Sequence, residues 1–433
     1  MRGRRLLRGV VAATATLGLG LALFSVSGLL ASPQGEVAPP PAVTVAPPNN
    51  LAVLQERLRR LPNDWMAWSA LGSAYLDEAV ATGDPAYYNK VEGALQRSLA
   101  IHPQENAAAL TGQAALAASR HDFSTALKLA RTSQRFNSYS TANQGVLVDA
   151  LVELGRYDQA KVELQRMVDV KPSVPAFTRV SYYRELHGDI EGAREALERA
   201  DALASRPHDQ AFIARYLGEL AFSSGDLPAA LEHIERGLRA APRDAALLAV
   251  RGRARMAAGD TPGGLQDYSV STGLVPLSTT IADYAAALRA AGRAEDARQQ
   301  DALVHATYQL LRDNGSNVDL ELALYEADRG NGAVALPAAR REHDRRVSVH
   351  TEDALGWALH AAGQDRSALK HAQAAERLSA TNAAFAYHRG MIEHSLGMKS
   401  AAQESLQRAL RINPHFSPAG SAQARQTLQE LAR

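Results

Sequence analysis

The chain predicts an all-α protein, a right-handed superhelical solenoid of about ten helical hairpins closed by a C-terminal capping helix. Three observations carry that prediction. A turn residue recurs every 33 to 38 positions at Gly83, His121, Gly155, Gly188, Gly225, Gly259, Gly292, Gly330, Gly363 and Gly397. A self-similar period of this length marks stacked supersecondary units. Small residues stand at fixed offsets on both sides of these turns, and 46% of the 433 residues are hydrophobic, ample for a packed interior.

The first element is an address. Residues 1–31 contain Arg2, Arg4, Arg5 and Arg8 and no acid, and Val10–Leu30 is an uncharged run of 21 residues. Such a run can cross a bilayer as a helix, with the arginines held on the cytoplasmic side. Residues 1–31 are expected to be a signal peptide or signal anchor. The body is then extracytoplasmic, either secreted or anchored to the cytoplasmic membrane by this segment alone. Residues 32–50 follow with Pro33, Pro39, Pro40, Pro41, Pro47 and Pro48. Proline at that density favours extended polyproline II and reads as a spacer. Beyond the four leader arginines, 43 basic groups face 46 acidic ones. A body of that balance lacks the positive field that phosphate backbones require, so nucleic acid is not an expected partner.

Residues 51–416 are the predicted solenoid. Each turn glycine supplies the left-handed residue that ends a first helix. Asp189, Asp226, Asp260 and Asn331 follow as N-caps of the second helix. Pro172, Pro242, Pro276 and Pro414 lie 17 residues after their glycines, where proline stops that helix. Seven residues before the turn come small residues such as Ala114, Gly218, Gly252, Ala285, Gly356 and Gly390. Five after it come Ala126, Ala160, Ala193, Ala230, Gly264, Ala297, Ala335, Ala368 and Ala402. Two helices can cross closely where both side chains are short, so these pairs are the expected crossing points. Arg206–Gln210 and Thr307–Val318 are expected to be loops. Pro337 is expected to kink the second helix of hairpin 8 or delay its start. Residues 417–433 form the cap, with a helix over Ala422–Leu431.

Trp68, Leu71, Gly72 and Tyr75 fit the pattern W-x2-L-G-x2-Y. Gly225-Asp226-Leu227 with Ala230 and Pro242, and Gly397 with Ala402, Ala409 and Pro414, fit the second half of the same repeat. On these residues the chain, from Leu51 to Phe416, resembles the tetratricopeptide repeat family. The segment AYHRGMIEHSLG, followed by LQRALRINPHFSP, is similar to the closing repeats of exported tetratricopeptide proteins of high-GC bacteria. The resemblance implies that positions 5, 9 and 12 of each first helix line a groove that binds protein or peptide partners. In hairpins 9 and 10 these are Asp353, Trp357, His360, Tyr387, Met391 and His394. In hairpins 4 and 5 they give Tyr182, Arg215, Glu219 and Phe222. Aromatic residues and methionine amid polar groups suit a hot spot for peptide binding. The plainer alternative is that these side chains fill the seam between first helices. A second binding hypothesis places a small molecule or cell-wall glycan on the aromatic patch of hairpins 9 and 10.

Catalysis is not expected. Ten units of about 34 residues use about 340 residues, which leaves no room for a separate catalytic domain. GxxxxGK[ST], HExxH and GxSxG are all missing from the sequence. With no cysteine there is no disulfide, thiolate ligand or thiol nucleophile. Asp313, Asn317 and Asp319 have the beginning of a calcium-loop spacing but not its glycine or terminal glutamate. His343 and His350 share a helical spacing, yet that helix is expected to end before Val347-Ser348-Val349. His388 and His394, six apart, point away from one another. No cofactor or metal is therefore expected.

Overall fold

The computed structural model describes residues 50–433. The leader and nearly all of the spacer lie outside the described residues. Among those residues no helix is long and apolar enough to cross a membrane. All regular structure in this region is helical.

Helix α1 (Asn50–Arg60) precedes ten hairpins. Hairpins 1 to 5 are α2 (Trp65–Thr82) and α3 (Tyr87–Ile101), α4 (Ala107–Ser119) and α5 (Phe123–Phe136), α6 (Thr141–Glu153) and α7 (Tyr157–Val170), α8 (Val174–Leu186) and α9 (Ile190–Ala202), α10 (Pro207–Ser223) and α11 (Leu227–Ala240). Hairpins 6 to 10 are α12 (Ala245–Ala257) and α13 (Thr261–Leu274), α14 (Ser278–Ala290) and α15 (Ala294–Asp313), α16 (Asp319–Ala327) and α17 (Gly332–Arg345), α18 (Val349–Ala361) and α19 (Asp365–Ala375), α20 (Ala383–Ser395) and α21 (Lys399–Ile412). Helix α22 (Pro418–Leu431) closes the series. This is the all-α helical-repeat solenoid that the turn spacing predicts.

Local chemistry explains the helix ends. Every residue of the predicted turn ladder has positive φ, from 69° to 86° at the nine glycines and 59° at His121. His121 is tolerated there because its Nδ1 lies 2.9 Å from the carbonyl of Asn317, a contact no glycine could make. Asp189, Asp226 and Asp260 each accept a hydrogen bond from the backbone N–H three residues on. Asn331 does not cap its helix; its amide donates to Glu326 Oε2 instead. The four prolines each stand two residues beyond the last residue of α7, α11, α13 and α21.

The predicted crossings are close. A Cβ on Gly252 would sit 3.0 Å from the carbonyl oxygen of Gly264, and one on Gly356 3.3 Å from that of Ala368. Ala126, Ala160, Ala193, Ala230, Ala297, Ala335, Ala368 and Ala402 are all fully buried. Short side chains at both positions let the two backbones meet.

Three expectations are corrected. Arg206–Gln210 is a helix start: Pro207 occupies the first turn of α10, where its fixed φ is already helical, and Arg206 pairs with Asp209 at 2.8 Å. Most of Thr307–Val318 is helical as well. Helix α15 contains no glycine or proline and propagates to Asp313 before Gly315 ends it. Pro337 lies inside α17, which starts at Gly332 without delay. Asp319, considered as a calcium ligand, instead pairs with Arg341 and Arg345 at 2.7 Å each.

The described residues form two compact units. The smaller comprises residues 50–183 and Gln309–Asn317. In it the 309–317 segment is held by Asn317 N–H donating to the Arg120 carbonyl (2.9 Å) and Arg120 Nε donating to the Asn314 carbonyl (3.1 Å). The larger comprises Arg184–Tyr308 and Val318–Arg433. Its array folds back on itself. Asn413 Nδ2 donates to the Phe222 carbonyl (2.7 Å, buried), Ser379 Oγ donates to the Leu186 carbonyl (3.1 Å), and α22 packs on α14. Thus hairpins 4 and 5 meet hairpins 9 and 10 within this unit.

Candidate functional site

In the larger unit, first helices pack on successive first helices: α10 on α12, α12 on α14, α16 on α18, α18 on α20 and α20 on α22. Side chains three and four residues apart on these helices share one face. Asp353, Trp357 and His360 occupy that face of α18, and Tyr387, Met391 and His394 that of α20. Arg215, Glu219 and Phe222 occupy α10. Tyr182 belongs to the smaller unit, where it is half-buried.

The aromatic members of hairpins 9 and 10 are interior. Trp357 is 5% exposed and Tyr387 fully buried. The Trp357 indole stacks on His388 with ring centres 4.2 Å apart and on His360 at 4.9 Å. Its Nε1 donates to Asp328 Oδ1 (2.8 Å). Tyr387 lies 5.8 Å from the Trp357 ring and 5.3 Å from that of Phe416. His388 Nδ1 is 2.8 Å from Asp353 Oδ1, with both side chains almost wholly buried. These rings fill the seam between first helices and leave no open face for a sugar to stack on. Half-exposed positions on the same face are His360, Met391 and His394. His360 is tied to Asp365 (Nδ1 to Oδ1, 2.5 Å).

Burial sets the electrostatics of this cluster. Enclosure pushes the Asp328 carboxyl well above the usual carboxylate range; the Trp357 N–H and Arg329 oppose the shift, while Asp353 and Asp283 add to it. The His360 imidazole is lowered, first by desolvation, with Asp365 opposing. Tyr387 is raised, again by burial and then by Asp328. Tyr387 Oη, His388 Nε2 and Asp353 Oδ2 are buried without a hydrogen-bond partner among the described residues. Each such atom lowers the stability of the folded state, because it has lost water without gaining a partner.

Hairpins 4 to 7 of this unit present a more open, charged stretch. Arg215 lies over the Tyr216 ring at 4.4 Å and reaches Glu219 at 3.5 Å. Arg253 pairs with Asp283 at 2.7 Å and stands 5.8 Å over the buried ring of Phe222. Glu185 accepts from Ser223 Oγ at 3.3 Å. Partial burial, reinforced by the like charge of Glu219, raises its carboxyl from 4.5 to about 7.

That shift predicts a pH effect. A carboxyl whose folded value exceeds its unfolded one binds more protons in the native state between the two values. Stability therefore falls as pH rises from about 4.5 to about 7. Glu185→Gln is expected to remove this slope and to stabilise the protein at pH 8 by roughly 1–2 kcal/mol, discounted for the water that reaches the group. Urea unfolding at pH 5 and pH 8 checks it. Equal variant and parent stabilities at both values refute the assignment.

Several of these groups escaped sequence reading. Glu185 and Arg253 stand three and six residues before their turn glycines, as His360 and Trp357 do, so the ladder applied to every hairpin would have found them. Asp328, Asp283 and His388 lie off those positions and carry no such signal. Among the described residues, one group brings metal-ligand atoms together: His343, Glu352 and His371, on α17, α18 and α19.

Fold and face together define a helical-repeat solenoid, a class whose stacked hairpins create extended interaction surfaces. Residues 383–416, which span hairpin 10, match the family model described as Tetratricopeptide repeat. Among solved structures the chain is similar to a thermophilic TPR protein of Thermus thermophilus, at 26% identity over 40% of this chain and 91% of that one, with a TM-score of 0.35. It is similar to a tetratricopeptide repeat protein from Parabacteroides merdae, at 16% identity over 60% and 99%, TM-score 0.35. Cut9–Hcn1, an APC/C hetero-tetramer, aligns at 13% identity over 89% of this chain and 62% of that one, TM-score 0.40. No curated protein matches the sequence.

Proposed function

We propose that the chain is a non-enzymatic, extracytoplasmic scaffold that binds protein or peptide partners along its first helices. The carrying observation is that Arg215 and Glu219 on α10, and His360, Met391 and His394 on α18 and α20, remain half-exposed beside buried aromatic rings. A preformed surface of this kind binds without a large ordering cost. Its charged and thioether groups suit an extended or helical polypeptide with complementary charge. The match of hairpin 10 to the tetratricopeptide repeat supports the same reading. Export rests on residues 1–31, where an arginine cluster precedes an uncharged run.

A photo-crosslinking amino acid placed at Arg215 or His394 of the full chain, in its native cell, is expected to capture defined polypeptides. The same probe at Glu198 or Arg298, exposed on second helices, is expected to capture them far less. Equal capture from second-helix positions would overturn the assignment of the surface. Protease added to intact spheroplasts is expected to digest the body; protection would refute export.

A further inference from the structure

The fold brings His343 not to His350, its partner in helical spacing, but to His371, with Glu352 between them. His343 lies in the last turn of α17, Glu352 in the first turn of α18 and His371 within α19. Their potential ligand atoms all fall within 4.8 Å of one another. The carboxylate is shared: His343 Nε2 is 3.3 Å from Glu352 Oε1, and His371 Nδ1 is 2.7 Å from Oε2. The two imidazoles meet edge to face at 5.4 Å.

We propose that His343, Glu352 and His371 bind a divalent transition-metal ion of the zinc class, which staples hairpin 8 to hairpin 9. Two imidazoles and a carboxylate are a donor set that suits such ions and discriminates against calcium and magnesium. Ligand atoms about 2.0–2.1 Å from a tetrahedral ion stand roughly 3.3 Å from each other. The His343–Glu352 separation already has that value. The His371 contact is to the other oxygen, Oε2, and the ligand atoms, one from each residue, lie within 4.8 Å of one another, so ion entry draws them together through side-chain rotation by at most about 1.5 Å. His343 Nε2 is buried and faces Glu352 Oε1 at 3.3 Å, so an ion placed between them would meet both residues.

The helix start that carries Glu352 is well defined. Ser348 and Thr351 cap α18 reciprocally, Ser348 Oγ accepting from Thr351 N–H and Thr351 Oγ1 from Ser348 N–H, one residue before buried Glu352. Nearby cations are engaged elsewhere, Arg346 with Glu342 and Arg345 with Asp319. Three protein ligands leave a fourth position for water or a partner's side chain. Because Asp353 follows Glu352 directly, the ion would also steady the end of α18 that carries the buried His388 pair.

The test uses the full chain, stripped with EDTA and titrated with ZnCl2. One zinc per chain is expected by calorimetry, together with a raised Tm that CaCl2 does not reproduce. His343→Gln and His371→Gln are each expected to weaken binding by at least about tenfold while still unfolding in one cooperative transition in EDTA. His208→Gln, at an exposed position, should leave binding unchanged. A readout that needs no variant is zinc protection of His343 and His371 from diethyl pyrocarbonate, located by mass spectrometry. Absence of zinc uptake, undiminished uptake by the double variant, or equal modification of both rings with and without zinc would each overturn the site.

Discussion

His388→Ala is expected to destabilise the larger unit by about 1–3 kcal/mol, the cost of leaving a buried carboxyl without its hydrogen-bond partner. Asp353 is 2% exposed; its Oδ1 has His388 Nδ1 at 2.8 Å, and its Oδ2 has no hydrogen-bond partner among the described residues. Loss of the imidazole would strip the only hydrogen-bonded oxygen of its partner and take away the ring stacked on Trp357. Urea unfolding measures the loss. The double change Asp353→Leu with His388→Leu should recover much of it, because apolar residues replacing both partners carry no desolvation penalty. A loss below about 1 kcal/mol in the single variant would mean that water or another group already satisfies Asp353.

Gly225→Ala is expected to be markedly worse than Gly259→Ala, although the two glycines have nearly the same backbone, φ 82° and 86°. A side chain in the left-handed region costs roughly 1–2 kcal/mol at either site. A Cβ on Gly259 meets nothing within 4 Å, but one on Gly225 would sit 2.6 Å from the carbonyl oxygen of Ile412. That oxygen is backbone and cannot swing aside, so the contact between hairpins 5 and 10 must part, at an added cost of about 1–3 kcal/mol. The buried Asn413–Phe222 hydrogen bond sits at the same contact and would be lost with it. Comparison of the two variants by thermal unfolding isolates the fold-back from the strain. Equal losses would show that hairpins 5 and 10 do not press together in solution.

Much of this protein is written locally. Gly155 or Gly363 needs no distant partner to end a helix, since the left-handed backbone is a property of the residue itself. Asp226 reaches a backbone N–H three residues away, and Pro242 blocks its own helix. The crossing of Gly252 with Gly264 is legible for a related reason: the absence of a side chain is visible in the sequence before its neighbour is known. Failures occurred where local signs were ambiguous. Pro207 looked like a break and is a helix start, and the stretch after Thr307 looked like a loop because its helix is longer than those of the other hairpins. Asn331 occupies a cap position, yet its amide found Glu326.

The candidate site was legible in outline only. Its positions follow from the repeat, so Trp357 and Tyr387 could be placed on a common face without coordinates. Their burial could not, because it depends on Asp328, His388 and Phe416 closing around them.

By itself, then, the sequence determined the number of hairpins, nearly all of their ends, the points where their helices cross and the face that first helices share. Each of these depends on interactions spanning a few residues or on a repeated spacing. Only the tertiary structure decided that Asp328 would meet Trp357, Asp353 meet His388, and His343 meet His371 across Glu352. Those meetings join groups on different helices whose separation in space is set by the sum of many small packing rotations. No single residue type announces that sum, and burial then decides which of the groups stay charged, which stay dry and which remain open to a ligand.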